Sequence, residues 1–388
     1  MSSPDLTDAE RQAVFDVLNT PILSIGPQIQ AFEKAFTDFT GLGHAIGVNS
    51  GTAGLHLCVR AGGIGPGDVV LTTPFSFVAS TNVLLFENAV PVFVDVDPRS
   101  GNLDPVLLAE AARDLTAGGE RTQKWLSRKG SASRRALKVI LGVDVFGQSA
   151  DWDPIRKVAD EFGLKVIEDS CEALGAEYKG RKVGTLGDYG VFAFYPNKQI
   201  TTGEGGIIVT DNAQSADLMR ALRNQGRAPG DTWLSHTYLG YNYRLDEMSA
   251  ALGAAQMLRL KELLRKREQV AAWYGERLAE IPGVEAPVVE TFTTRMSWFV
   301  YVVRFDPAID RDALAKRLET YGVPVRPYFL PIHLQPYMVE RFGYRAGDFP
   351  VTEDLGRRGL ALPFSGVMTE EQVEFVCRAI HAELGKSK

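Results

Sequence analysis

A lysine at the end of an apolar run is the residue in this sequence best suited to covalent chemistry. Lys198 follows the run 191–195 and Pro196, and a glycine-rich turn and a second apolar run, 207–210, come after it. The first run predicts a buried strand that Pro196 ends. Because a buried ammonium is costly, we expect a lowered pKa and a nucleophilic amine at Lys198, as a Schiff base requires. A surface lysine at a strand end is the alternative.

Acidic residues follow a second predicted strand. Residues 165–168 read as a strand after a helical segment, 153–162, and Asp169 comes next. Ligands of open α/β sheets lie at the carboxyl ends of strands. An aspartate there, together with a Schiff-base lysine, suits pyridoxal phosphate (PLP), whose pyridine nitrogen must stay protonated. A helix N-cap is the alternative role for Asp169.

A turn of small residues supplies a candidate phosphate site. Residues 45–48 predict a short strand and 55–60 a helix, and the turn between them contains Ser50, Gly51, Thr52 and Ala53. Backbone N–H groups and the helix dipole at such a turn can face a phosphate. Hydroxyl groups can add further donors. The turn is common by itself, but with the lysine and the aspartate it indicates a PLP site.

The elements that would position these residues alternate between strands and helices. Strands are predicted at 69–71, 90–94, 138–143, 165–168, 190–195 and 207–210. This alternation predicts an α/β fold in which helices flank a mostly parallel mixed sheet.

A smaller α+β domain is predicted towards the C-terminus. From 244 to about 281 the apolar spacing suits a long amphipathic helix, with one break allowed, that links the two domains. The predicted division is a PLP-binding large domain at 1–260 and a small domain at 261–388. Within the small domain we expect strands at 298–304 and 323–327 and helices at 352–359 and 369–384.

Composition limits the possible partners and location. A net charge of −6 and a pI near 5.6 give no reason to expect nucleic acid or an anionic membrane as a partner. Cys58, Cys171 and Cys377 lie far apart, so neither a disulfide framework nor a metal site is expected. The sequence shows no signal-peptide pattern and no apolar run that would span a bilayer, which favours a cytoplasmic enzyme.

Several spaced motifs in one register resemble those of a known family. The chain resembles the DegT/DnrJ-type nucleotide-sugar aminotransferases, which have the PLP-transferase fold type I of aspartate aminotransferase. The resemblance covers nearly the whole chain. The segments that carry it are residues 26–33, 50–53, 73–79, 91–97, 168–169, 195–198, 239–244 and 331–336.

The resemblance implies roles at the cofactor. Lys198 is implied to form the internal aldimine, Asp169 to pair with the pyridinium nitrogen and Phe77 to stack on the ring, although Phe77 as plain core is the alternative. The residues implied to hold the phosphate are Gly51, Thr52 and Ala53. Asn242 is implied to reach the phosphate of a neighbouring subunit, which predicts a homodimer with shared active sites.

Two further residues are expected near the substrates. The resemblance places His333 on the sugar-nucleotide side, with a satisfied loop histidine as the alternative. Arg244, beside Asn242, could pair with the carboxylate of the amino donor, and a structural salt bridge is the competing explanation.

Two positions depart from the family pattern. Ala193 stands where many members carry a serine that donates to the phosphate. Glu172 stands where many carry a glutamine near the phenolic oxygen of the cofactor. Two negative groups there would repel each other, so Glu172 is expected either to carry a proton or to turn away.

The function implied is transfer of an amino group from L-glutamate to the keto group of a sugar linked to a nucleoside diphosphate. A cyclitol ketone or an aminobenzoate precursor as acceptor is the first alternative. A PLP-dependent sugar dehydratase is disfavoured because that branch carries histidine at the position of Lys198. A non-catalytic sensor is disfavoured because it would have no need for both Lys198 and Asp169.

One segment fits none of these motifs. Between 121 and 138 there are seven basic residues and no acidic ones, and the segment looks like an insertion. A lid that meets the diphosphate is one interpretation. A mobile, solvated loop is the other, and the sequence Gly130-Ser131-Ala132-Ser133 favours it.

Overall fold

A computed structural model describes residues 3–130 and 134–385 of the chain. Its α-helices are α1 (Asp8–Leu18), α2 (Pro27–Thr40), α3 (Gly51–Ala61), α4 (Ala79–Phe86), α5 (Pro105–Ala117), α6 (Trp152–Phe162), α7 (Ala213–Arg223), α8 (Glu247–Leu258), α9 (Leu260–Leu278), α10 (Arg311–Thr320), α11 (Pro336–Phe342), α12 (Pro350–Arg358) and α13 (Glu370–Gly385). Its strands are β1 (His44–Val48), β2 (Val69–Thr72), β3 (Val90–Phe93), β4 (Leu137–Val143), β5 (Lys165–Asp169), β6 (Glu177–Tyr178), β7 (Arg181–Lys182), β8 (Tyr189–Ala193), β9 (Gly206–Thr210), β10 (Val284–Glu285), β11 (Thr293–Arg295), β12 (Tyr301–Phe305), β13 (Arg326–Pro327) and β14 (Gly359–Leu362).

The main sheet has seven strands in the order β1-β9-β8-β5-β4-β2-β3. Strand β9 is antiparallel to both of its neighbours, and the remaining pairs are parallel, so β1 and β8 point the same way as β5. The strands are buried on both faces, which explains their nearly continuous apolar sequences. The carboxyl ends of six strands therefore share one edge of the sheet.

A second sheet lies towards the C-terminus. It has the order β10-β12-β14-β13 and forms a separate apolar core with α9, α10 and α13. A short three-stranded sheet, β11-β6-β7, joins residues from both halves of the sequence. The predicted α+β character of the C-terminal part agrees with this arrangement, and the division at 260 stays a prediction.

The predicted long helix is interrupted. It begins at Glu247, where the Asp246 side chain caps it by accepting from Ser249 N, and it breaks at Arg259 between α8 and α9. Arg259 leaves helical geometry and forms ion pairs with Asp5 and Glu10 of the N-terminal segment.

Two predicted strands are shorter than expected. The run at 298–304 pairs only from Tyr301, because Trp298 has a left-handed backbone (φ 52°) that a strand cannot continue through. Of the run at 323–327, only Arg326–Pro327 pairs with β14.

Within the described ranges, none of the helices combines the length and apolar character that crossing a membrane requires. The same ranges contain no group of three or more His, Cys, Asp or Glu side chains arranged to hold a metal ion.

Candidate active site

The shared edge of the main sheet collects most of the predicted site residues. Strand β5 ends at Asp169, and Lys198 follows β8 by one turn. Strand β1 runs into α3, and Phe77 follows β2. Residues that are up to about 150 positions apart in sequence are therefore brought to one edge by the parallel strands.

Lys198 lies in a turn whose backbone and side chain are both held. Its N–H donates to the Tyr195 carbonyl at 2.9 Å. Its side chain is 13% exposed, and Nζ lies 3.9 Å from Glu172 Oε1. The amine also lies 3.7 Å from the centroid of the Phe299 ring, within the range of a cation–π contact. The lysine is thus mostly buried, and the surface-lysine alternative is wrong.

Glu172 points towards this lysine. Its Oε2 accepts a hydrogen bond from Phe146 N at 2.9 Å. Burial raises the pKa of Glu172, and the charge of Lys198 opposes that rise. The side chain has therefore not turned away from the lysine, and burial favours its protonated form.

Asp169 is a buried carboxylate at the end of β5. Burial raises its pKa, and hydrogen bonding to Cys171 and the charge of Lys198 oppose the rise. Its Oδ1 accepts from Cys171 N at 3.2 Å, and a turn follows instead of a helix. The N-cap alternative is wrong, because the next helix, α7, begins only at Ala213.

The N-terminus of α3 adjoins this group. Ser50 caps the helix by accepting from Ala53 N at 3.0 Å. Helix geometry leaves the N–H groups of Gly51 and Thr52 without an intrahelical partner, and the helix dipole favours an anion beside them.

The absence of a side chain at Gly51 lets α3 approach β8. A Cβ at this position would lie 2.6 Å from Ala193 Cβ and 3.0 Å from Cys171 Sγ. One turn later, a Cβ on Gly54 would lie 2.8 Å from Val191 Cγ1. The small residues at 51 and 193 therefore bring the α3 N-terminus against the strand that leads to Lys198.

Phe77 and Asn242 are exposed on the single chain. The Phe77 side chain is 63% exposed, so it is not plain core. Asn242 is held by its backbone, since its carbonyl accepts from Asn49 Nδ2 at 3.3 Å. The rings of Tyr241 and Tyr243 stack on each other with centroids 4.8 Å apart, which fixes the backbone on either side of Asn242.

Arg244 contacts Asn224 within the same chain. Its Nη1 donates to Asn224 Oδ1 at 2.9 Å, so its partner is an amide and not the carboxylate of a salt bridge. It lines a separate cavity of about 280 Å³ together with Arg220, Arg223 and Arg227.

His333 is fully buried beside α12, and the Phe349 ring that packs on it also contacts Phe93 at the end of β3. Its Nε2 lies 2.9 Å from Glu353 Oε1, and its ring packs against Phe349. The neighbouring Ile332 N donates to the Pro74 carbonyl, so a hydrogen bond links this segment to residues 73–79. Burial and the Glu353 contact argue against a substrate contact, but Nδ1 of His333 is buried without a hydrogen-bond partner among the described residues, so this histidine is only partly satisfied.

The basic segment is held in place by acidic partners. Arg128 donates to both carboxylate oxygens of Asp348, at 2.6 and 2.7 Å. Lys138 pairs with Asp68 at 2.7 Å, and Lys124 pairs with Glu110. These three side chains are engaged by acidic partners within the chain, and the lid and the mobile loop both stay predictions. Residues 131–133, part of the glycine- and serine-containing stretch, lie outside the described residues.

Sequence reasoning missed three groups at this site. They are the Phe146 N–H, the Phe299 ring and the guanidinium of Arg267, which donates to the carbonyl of Lys198. No sequence motif predicts these three groups. Phe146 and Phe299 are typical of a hydrophobic core, and Arg267 is typical of a charged residue on a helix surface.

Comparison with known proteins identifies the family. The model of the DegT/DnrJ/EryC1/StrS aminotransferase family matches residues 4–381. The chain belongs to this family.

Relatives and solved structures match over almost the full length. GDP-perosamine synthase of Caulobacter vibrioides is 38% identical over 383 residues, covering 98% of this chain and 96% of that protein. The spore coat polysaccharide biosynthesis protein SpsC of Bacillus subtilis is 34% identical over 392 residues, covering 98% and 95%. DesV of S. venezuelae, solved in complex with a ketimine intermediate, superposes with a TM-score of 0.85 at 32% identity, covering 96% and 94%. The predicted family, the PLP-transferase fold type I and the aminotransferase activity are confirmed.

Proposed function

We propose that this aminotransferase uses PLP to move an amino group from L-glutamate to the keto group of a nucleotide-linked sugar. The observation that carries the proposal is the meeting of Lys198, Glu172, Asp169 and the N-terminus of α3 at one sheet edge. A cytoplasmic location is part of the same proposal.

The residues at this edge fit PLP group by group. A mostly buried amine, Lys198, suits the aldehyde, and a buried carboxylate, Asp169, suits the pyridine nitrogen. The first turn of α3 suits the phosphate, because its N–H groups are free of intrahelical partners. The exposed ring of Phe77 suits the face of the cofactor.

When bound, PLP supplies an electron sink for the electrons released at the α-carbon of the amino donor. The Asp169 carboxylate would stabilise a proton on the pyridine nitrogen. The Lys198 amine would take the α-proton of glutamate and hold it for delivery to the cofactor carbon on the other side of the linking nitrogen. Glu172, whose pKa burial raises, lies beside the same amine. The Phe299 ring covers the amine and excludes water from it. The same steps would run in reverse on the keto acceptor.

A second copy of the chain would complete the site. Asn242 and Phe77 are exposed, and the segment before Asn242 presents large apolar side chains, Trp233, Leu234 and Leu239. Such a patch on one chain favours a protein partner. We propose a homodimer in which Asn242 contacts the phosphate held by the partner, and in which Arg244 is carried to the partner's site to bind the donor carboxylate.

The acceptor class rests on the relatives. GDP-perosamine synthases of Caulobacter vibrioides, Vibrio cholerae and Escherichia coli O157:H7 are 38%, 32% and 32% identical to this chain. We therefore propose a nucleoside-diphosphate-linked keto-sugar as the acceptor.

A single-turnover assay tests this proposal. The enzyme is loaded with PLP, converted with L-glutamate and freed of the donor, and separate portions then receive GDP-, dTDP- and UDP-linked 4-keto-6-deoxysugars or an inosose. Return of the original cofactor absorption with a nucleotide-linked sugar supports the proposal. Return with the inosose alone would establish the cyclitol alternative instead.

A further inference from the structure

Arg267 of α9 is a buried arginine that contacts the backbone of the proposed catalytic lysine. The residue is 5% exposed. Burial lowers the pKa of its guanidinium to about 10. A buried charge is retained only where it is well satisfied by hydrogen bonds, so the partners of Arg267 indicate what it does.

Its two terminal nitrogens each bridge a pair of carbonyl groups. Nη2 donates to the carbonyl of Lys198 and, at 3.2 Å, to that of Asn197. Nη1 donates to the carbonyls of Trp298 at 3.1 Å and Phe299 at 3.2 Å. A planar guanidinium can hold four acceptors in this fixed geometry, which an ammonium cannot.

The two bridged segments come from different sheets. Asn197 and Lys198 follow β8 of the main sheet, whereas Trp298 and Phe299 precede β12 of the C-terminal sheet. The Phe299 ring lies 3.7 Å from Lys198 Nζ. Arg267 therefore joins the backbone that carries the amine to the backbone that carries the ring covering it.

The bridged backbone needs such support. Trp298 has φ 52°, a left-handed conformation that is unfavourable for a residue with a large side chain. A hydrogen bond to its carbonyl stabilises that conformation and so fixes the direction in which Phe299 leaves the turn.

We infer that Arg267 is a positioning residue that holds the Lys198 amine and the Phe299 ring in register. The inference rests on the proposed role of Lys198. The titratable groups that act on the amine are Asp169 at the end of β5 and Cys171 and Glu172 just after it, whereas Arg267 of α9 contacts the carbonyl of Lys198. Loss of the guanidinium would free the backbone of Lys198 from that of Phe299 and so change the position of the amine relative to the ring and to Glu172.

Two substitutions separate the guanidinium fork from its charge. Arg267→Lys keeps a positive charge without the planar fork, and Arg267→Gln removes the charge and keeps one amide donor group. Arg265→Gln, at an exposed position of the same helix, is the matched control. Each full-length protein is loaded with PLP, and its melting temperature is recorded first.

The main readout is spectroscopic and does not depend on turnover. Circular dichroism in the visible cofactor band reports the orientation of the Lys198 linkage, and its absorption is followed as a function of pH. We expect both Arg267 variants to change the dichroism and the pH of the transition. The rate of the glutamate half-reaction should fall by between ~10-fold and ~100-fold with little change in KM, as expected for misplaced reacting groups. Arg265→Gln should match the wild type.

The results distinguish failure of this inference from failure of the proposed function. If Arg267→Lys folds and matches the wild type in dichroism, pH transition and rate, Arg267 is only structural and the inference is wrong. If Lys198→Ala keeps the cofactor band, the proposed function is wrong. Should the Arg267 variants not fold, Phe299→Leu keeps the carbonyl that Arg267 binds and removes the ring that it positions over the amine, and unchanged dichroism and pH transition there would overturn the inference.

Discussion

The amine of Lys198 lies 3.9 Å from the carboxylate of Glu172, whose other oxygen accepts a hydrogen bond from Phe146 N. The proposed nucleophile, Lys198, and the carboxyl group of Glu172 are thus close together and mostly buried at the edge of the main sheet.

Glu172→Gln should stabilise the cofactor-free protein increasingly as pH rises. Burial raises the pKa of Glu172, so the folded state holds the proton more tightly than the unfolded state does. The stability that this group contributes is present at low pH and is lost as pH rises through the pKa of Glu172 in the folded state. Glutamine does not titrate, so the variant keeps its stability over this range. Melting temperatures measured between about pH 4 and about pH 8 should diverge in favour of the variant. Glu161→Gln, at an exposed position of α6, is the control. A difference in melting temperature between Glu172→Gln and the wild type that stays constant across pH would contradict the prediction.

Asp169→Asn should slow transamination without preventing cofactor attachment. An amide has nearly the same shape but cannot stabilise a positive pyridinium. We expect a loss of about 10²–10³-fold in the glutamate half-reaction, the size typical of removing one electrostatic stabiliser. Stopped-flow absorbance measures that rate. Kinetics equal to the wild type would mean that Asp169 serves only the turn at Cys171.

Gly51→Ala should weaken both packing and PLP binding. The new methyl group would meet Ala193 Cβ at 2.6 Å and push α3 away from β8. A stability loss of ~1–3 kcal/mol is expected from such overpacking, along with weaker binding of PLP. Urea unfolding and a cofactor titration measure the two effects. Gly65→Ala, where the nearest atom is 4.0 Å away, should change neither.

His333→Ala should lower stability and leave the KM of the acceptor unchanged. Removing a fully buried ring that packs against Phe349 is expected to cost about 2–4 kcal/mol. Burial lowers the pKa of His333 in the folded protein. The stability that the neutral ring contributes is therefore present above the pKa of histidine in the unfolded chain and is lost as pH falls through the pKa of the folded state. The cost in urea unfolding should therefore shrink in acid. A raised acceptor KM at unchanged stability would restore the substrate-binding interpretation.

The sequence was sufficient to predict the main sheet and most of its functional edge. The apolar runs before Asp169 and Lys198 are local signals, and the strands form where these runs are. The local sequence at Ser50 and Gly51 likewise predicts the N-terminus of a helix.

The remaining features depend on contacts between distant residues. Arg128 and Asp348 are 220 positions apart, so the basic segment gave no sign of its partner. Arg267 reads as one charge among several on α9, and only the packing of α9 shows that it is buried. The burial of His333 similarly depends on Glu353 and Phe349, which the motif at 331–336 does not include.

The central claim is that Lys198 attaches PLP and exchanges it with glutamate. The most direct measurement is the absorption spectrum of the PLP-loaded protein before and after excess L-glutamate, with Lys198→Ala beside it. We expect a visible band in the wild type that glutamate converts to the shorter-wavelength amine form, and no such band in the variant. A band that persists in Lys198→Ala, or one that glutamate leaves unchanged in the wild type, would contradict it.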